Sequence, residues 1–550
     1  TGMYQTSLGT HHMRCQTALP GHIQPFTKQL QDAGYYCTNN SKTDYQFTPP
    51  PGTWDASSGK AHWKNRPDKT TPFFSVFNFT GCHESGIAGT SKYESVTSQL
   101  TPSERQDPAK LTTLPPYYPD TPKTREDWKR NYELITALDH WCQRHIQDLK
   151  DVGLYEKTII FFWSDHGVGL PRAKRWLYDS GTHIPLIVRI PAPFRHQRQA
   201  MPGSTSDELI SSIDLGPTVQ RLAGVKTPPH VQGRAFLGTN LSPARKYVFA
   251  ARDRMDERYD IIRMARDQQY KYIRNYEPLK TFYQYMNTPE KGATMQALRN
   301  GYLNGELSRH AALFFKPKKP VEELYDVSAD PHELVNLAGS AKHQTTLKRL
   351  RAAHIQWVTD TKDLGLIAEP ILITRQKVLG NQYDILRDSQ DPTLYQRVSE
   401  TARLASSGPE AIAQLTHALN DGDAAVRYWG AVGLGNHSPH SAAALEQLTT
   451  IMQSDASSVC RTAAARALCR LGQPTTALTV LINELQNGRQ WERLHAAIVL
   501  DEIDDQARPV IPEMQAALKP RPDLYANGKY VVRVLNRALN QLQDTQRQVP

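Results

Sequence analysis

The 550-residue sequence predicts an α/β unit with a mixed, mostly parallel sheet flanked by helices. A small α+β subdomain follows it, and then an α-helical solenoid. Three observations carry that expectation. Short apolar runs, Phe73 to Phe79, Thr158 to Trp163 (unbroken) and Ile184 to Ile190, read as buried strands, the first separated from the others by a long helical pattern. From Tyr247 to Asn275 the apolar residues alternate instead, as on antiparallel strands with one wet face. Beyond Ala402 the chain turns rich in Ala and Leu. There Arg427, Arg461 and Arg493 recur 34 and 32 residues apart, each with an alanine four residues on. A period of that size means stacked helical hairpins. The expected divisions are 1–240, 241–365, a linker at 366–395 and the repeats at 396–545.

In chain order, Ile23, Phe26, Leu30 and Ala33 have helical spacing and stop at Gly34, a natural C-cap. Tyr35 to Thr38 reads as a short strand. Trp54 to Arg66 is an irregular aromatic and polar loop of the kind that binds substrate or covers a core, and His62 and Trp63 are its candidate sugar contacts. The strand from Phe73 ends on Thr80-Gly81-Cys82-His83. An imidazole at a strand end suits general-acid work, so His83 is a catalytic candidate. Arg125 to Val152 has helical periodicity through Trp128, Tyr132, Ile135, Leu138 and Trp141, and its His140 and His145 read as surface or packing residues. The strand Thr158 to Trp163, expected to be buried on both faces, stops on Ser164-Asp165-His166-Gly167. Ligands of open α/β sheets collect beyond such strand ends. A carboxylate beside an imidazole, Asp165 and His166, suits a divalent cation. The basic loop behind it, with Lys174 and Arg175, suits an anionic substrate.

The loop Lys174-Arg175-Trp176-Leu177-Tyr178-Asp179-Ser180-Gly181-Thr182-His183-Ile184-Pro185 resembles the Lys-x-x-x-Tyr-(Asp/Glu)-x-Gly-x-x-x-Pro loop of the sulfatase family, which belongs to the alkaline-phosphatase superfamily. Ser164-Asp165-His166-Gly167 is similar to the Ser-Asp-Asn/His-Gly turn before that loop. Glu322 to Ala338 resembles the family's closing Glu-Leu-Tyr-Asp motif, so the resemblance runs from Thr1 to about Thr361. Asn40 to Tyr45 and His83-Glu84-Ser85 resemble the N-sulfoglucosamine sulfohydrolase-like branch, and the repeats resemble the HEAT type.

The resemblance implies hydrolysis of sulfate esters or sulfamates on a sulfated carbohydrate. It implies one divalent ion, Ca²⁺ first with Mn²⁺ or Zn²⁺ as alternatives, held partly by Asp165 and His166. Lys42 and Lys174 would act as catalytic and sulfate-binding lysines, and His83 as the proton donor. Arg175 is either a further substrate contact or a surface charge. Asp44 stands where the family has a histidine and is a substrate-binding candidate, as is His62. The catalytic formylglycine comes from a Cys or Ser in Cys/Ser-x-Pro-x-Arg. Thr1 to Arg14 resembles the segment after that signature, so the nucleophile and the other metal ligands are expected upstream, and the chain by itself is expected to be inactive. Family members point to a periplasmic or extracellular setting. Two alternatives stay open: a phosphoester or phosphonate hydrolase of the same superfamily, and a catalytically dead domain on a repeat scaffold.

Composition narrows the partners. The formal charge is +10, from 65 Lys+Arg against 55 Asp+Glu. The basic residues are dispersed and form no nucleic-acid module, so no nucleic-acid partner is expected. No apolar run approaches the roughly 20 residues of a membrane span. The six cysteines have no metal-finger spacing and read as mostly buried thiols. The repeats either pack on the enzyme or bind a protein partner.

Overall fold

The computed structural model describes residues 1–111, 113–195, 201–387 and 390–549. Positions 388 and 389 of the expected linker lie outside the described residues. Mixed sheets flanked by helices are followed by a helical array. The first sheet is parallel, with order β2-β1-β3: β1 is Tyr36–Asn40, β2 Ala56–Ser57 and β3 Phe73–Phe77. A second sheet pairs β4, Ile160–Trp163, with β5, Leu186–Arg189, in antiparallel register. A third, antiparallel and in sequence order, holds β6 Val248–Arg252, β7 Ile262–Arg266, β8 Tyr270–Asn275 and β9 Glu322–Asp326.

One expectation fails here. β4 is not buried on both faces: among the described residues β5 is its one partner strand, and Trp163 and Ile187 stay 39% and 64% exposed. An apolar run records that a strand exists but not which neighbours cover it, so an uncovered strand looks the same in sequence.

The helix Pro122–Asp151 separates β3 from β4. Its first turn is set by Pro122 at N1 and by Thr121, whose hydroxyl accepts a hydrogen bond from Thr124 N–H. Leu134, Ile87, Leu170, Trp176, Met264 and Met295 belong to one core that joins this helix, the loop after β4 and the antiparallel sheet.

The repeat arginines form a ladder. Arg427 donates to the carbonyls of Asp421 and Gly422 and pairs with Asp455 of the next hairpin; Arg461 donates to the Asp455 carbonyl and pairs with Glu484. Each one closes its own turn and ties it to the next repeat. The array packs on the antiparallel unit through buried charge. Arg254 is fully buried and bidentate to Glu369, with Trp491 stacked on its guanidinium. Arg258 pairs with Asp501, and Arg466 with Glu277. Trp429 Nε1–H donates to the Leu366 carbonyl at 2.6 Å.

Candidate active site

The turn after β4 is fixed by its own residues. Ser164 Oγ donates to the His166 carbonyl at 2.6 Å, and Gly167 N–H donates to the Gly181 carbonyl at 3.0 Å. A Cβ on Gly167 would lie 1.8 Å from the Ser180 carbonyl oxygen, and one on Gly181 2.3 Å from that of Ala173. Both glycines of the motif are therefore demanded by backbone contact. Trp176 is buried against Tyr283 and Phe314, which anchors the loop that carries Lys174 and Arg175.

At the turn, His166 Nδ1–H donates to the Gly167 carbonyl at 2.6 Å. That leaves the lone pair on Nε2, 3.7 Å from Asp165 Oδ1. Burial, the main cause, holds the His166 imidazole below its ordinary pKa. A neutral ring in this tautomer next to a carboxylate is the donor pair a divalent cation needs, so the two residues fit a shared ion as part of its shell. Lys42 lies on the other side, with Nζ 3.6 Å from Asp165 Oδ2.

The second half of the site is built around a residue the sequence did not single out. Glu84 opens the short helix Glu84–Ala88, for which His83 is the N-cap, its Nδ1 3.2 Å from Ser85 N. Arg175 grips Glu84 with two bonds of 2.8 Å, and Lys174 Nζ donates to Glu84 Oε1 at 3.1 Å. Arg175 also reaches Asp256, from just after β6, at 3.0 Å. Arg175 is held at φ 78°, a conformation that costs a non-glycine residue energy, and its two carboxylate partners hold it there.

Lys174 also donates to His83 Nε2 at 3.0 Å. Burial first, then the Lys174 charge, push His83 down to about 4. It is therefore a neutral acceptor near pH 7. Lys92 adds a further cation beside it, donating to Ser85 Oγ and to the Thr80 carbonyl. The fields of Lys42 and Lys174 act on both His83 and His166, so the two halves face one locality.

Two expected residues sit elsewhere. Asp44 turns to Arg14, 4.0 Å away, and His62 packs toward Asp148, 3.6 Å away, on the helix Pro122–Asp151. Cys15 is no candidate nucleophile. Its thiol faces the carbonyls of Gly9 and Gln46, and burial pushes it up to about 11.

Burial alone would raise the Glu84 carboxyl, but Arg175 and then Lys174 outweigh it and hold the group at about 2. A carboxylate depressed in the folded state contributes stability that is full above its unfolded value near 4.5 and lost as pH falls toward 2. Glu84→Gln is thus expected to cost about 3 kcal/mol at pH 7, a deficit that shrinks between pH 4.5 and 2. Urea denaturation at pH 7, 4 and 3 checks this.

The sulfatase family model matches residues 26–225, the model for the C-terminal part of N-sulphoglucosamine sulphohydrolase matches 171–291, and HEAT repeats match 383–469. An ulvan-active sulfatase of Formosa agariphila is 38% identical over 413 residues, covering 68% of this chain and 68% of that protein. A second ulvan-active sulfatase of the same organism is 28% identical, with 46% of this chain and 48% of the relative covered. Human N-sulphoglucosamine sulphohydrolase is 26% identical over 268 residues, with 46% and 52% covered. The chain thus spans about two thirds of the first relative's length and about half that of the other two. With the motif loops and the cluster they build already described, these matches give the conclusion: the chain belongs to the sulfatase family, a family of hydrolases.

Proposed function

We propose that this protein hydrolyses the sulfate ester or sulfamate of a sulfated carbohydrate. One observation carries the reading: two lysines, Lys42 and Lys174, a neutral imidazole, His83, and a metal-donor pair, Asp165 and His166, come together from the segments after β1, β3 and β4, in a chain 38% identical to a relative named for sulfatase activity.

In this reading Asp165 and His166 hold part of the shell of a divalent cation, Ca²⁺ by family precedent. A divalent ion bound there would supply Lewis-acid charge, and the family's formylglycine would supply the nucleophile. Lys42 and Lys174 bind the sulfate oxygens and meet the charge that grows on them. Lys174 has three N–H donors, two of them committed to His83 and Glu84, which leaves a third to donate to a sulfate oxygen. His83 accepts from that ammonium, so the proton for the departing oxygen or nitrogen comes from Lys174, with His83 Nε2 holding it in position. Glu84 and Arg175 are positioning residues: Arg175 pins Glu84, and Glu84 keeps the half-buried ammonium charged.

The test is an assay of the full-length protein on aryl sulfate, aryl phosphate and N-sulfoglucosamine, with and without chelator. Turnover of a sulfated substrate that chelation abolishes is expected. Turnover of phosphate alone would replace the reading with phosphoryl chemistry, and none on any substrate would leave a sulfatase-like scaffold.

A further inference from the structure

His62, His145 and Asp148 face one another beside Phe77, the last residue of β3. Each offers a ligand atom, and these atoms all lie within 4.8 Å of one another. His145 and Asp148 are three residues apart on the helix Pro122–Asp151 and so share one face of it, while His62 comes from the loop before β3. Among the described residues this is the one trio of His, Cys, Asp or Glu that could hold an ion. No hydrogen bond or ion pair among the described residues joins it to Lys42, His83, Asp165 or Lys174.

Three features mark it as more than a surface ion pair. His145 Nδ1 is buried and has no hydrogen-bond partner, which a polar atom in the interior seldom tolerates. The rings are held by aromatic packing: Phe77 is 4.2 Å and Trp141 4.4 Å from His145, and Phe77 and Trp63 are each 5.0 Å from His62. The Asp148 carboxylate is oriented by Lys64, whose Nζ reaches Oδ1 at 2.6 Å and leaves Oδ2 turned to His62 Nε2 at 3.6 Å. Outer partners of this kind commonly fix a metal-binding carboxylate. Burial also keeps both imidazoles below their ordinary pKa and so neutral, the form that ligates.

We propose that His62, His145 and Asp148 form a second metal site, taking a transition cation of the Zn²⁺ class and stapling the loop before β3 to the helix Pro122–Asp151. Two imidazoles and one carboxylate suit zinc and its neighbours and not the all-oxygen shells of Ca²⁺ or Mg²⁺. The site is independent of the sulfatase reading. Binding has a local cost. Lys64 N–H now donates to His62 Nδ1 at 3.1 Å, and Nε2 can carry the ion only with the ring proton on Nδ1, so that cap must open.

The test is zinc titration of the full chain, stripped with chelator, in an Asp165→Asn/His166→Gln background that removes the other donor pair. One equivalent is expected to bind, with a zinc-edge absorption shell of nitrogen and oxygen at about 2.0–2.2 Å and no sulfur. His145→Ala is expected to weaken binding at least 100-fold. Lys64→Met, which removes the partner that orients Asp148, is expected to weaken it about 10-fold, and zinc is expected to speed exchange of the Lys64 amide. The proposal falls if the background protein takes up no zinc, or if folded His62→Ala/His145→Ala keeps the same stoichiometry and affinity.

Discussion

Arg263→Met is expected to cost about 3–5 kcal/mol of stability, read as a large drop in the urea midpoint by circular dichroism and tryptophan fluorescence. Arg263 is fully buried on β7. It donates to Asp363 through Nε and Nη2 (2.5 and 3.0 Å), to Asp253 through Nη2 (3.0 Å) and to the backbone carbonyls of Arg252 and Ile262 through Nη1. Asp363 follows the helix Gln344–Thr361, and its Oδ1 also accepts from Gly365 N–H, so one guanidinium ties that helix and the entry to the repeats onto the sheet. Methionine nearly refills the volume but leaves two carboxylates buried without their cation. Even with Arg263 present, burial raises Asp253 to about 7. In the variant both carboxyls titrate higher than in the parent, and protonation relieves them, so the deficit should shrink from pH 8 to pH 5. Adding Asp253→Asn and Asp363→Asn should recover part of the loss. A variant as stable as the parent at pH 8, or a deficit independent of pH, would show that the network is not what holds this junction.

How much of this was legible beforehand depended on whether the information is local. Asp165, His166, Lys174 and Gly181 lie on one continuous stretch whose backbone contacts dictate the spacing, and that spacing was readable. Arg427 and Arg461 were readable because a repeat writes the same contact several times. Glu84 was not. Its meaning comes from Arg175, 91 residues away, and a glutamate after a histidine looks like an ordinary helix start. Asp256 was hidden for the same reason, and His145 reads as a packing residue until the loop bearing His62 is folded against it. The exposed face of β4 and β5 is a fact about neighbours, and no periodicity within Thr158 to Trp163 encodes it.

For the chemistry, the largest expected effect is at Lys174. If it binds sulfate and gives up the proton, Lys174→Ala should lower kcat/KM of the sulfatase by about 10²–10³-fold, roughly 3–4 kcal/mol of transition-state stabilisation. Lys174→Arg should rescue little, because a planar guanidinium cannot reproduce a point donor shared between His83 Nε2 and Glu84 Oε1. Stability and pH dependence separate this from simple damage. Burial lowers the Lys174 ammonium below its ordinary value, and Glu84 pulls it part of the way back. The alkaline limb of kcat/KM should therefore fall below pH 10.5, and Glu84→Gln should move it further toward neutral by removing the supporting charge. The acid limb should follow His83, near 4, where a second positive charge beside Lys174 breaks the hydrogen bond. An alkaline limb that stays where it was in Glu84→Gln, in protein that is folded by circular dichroism, would remove Lys174 from the proton-donating role and return it to His83.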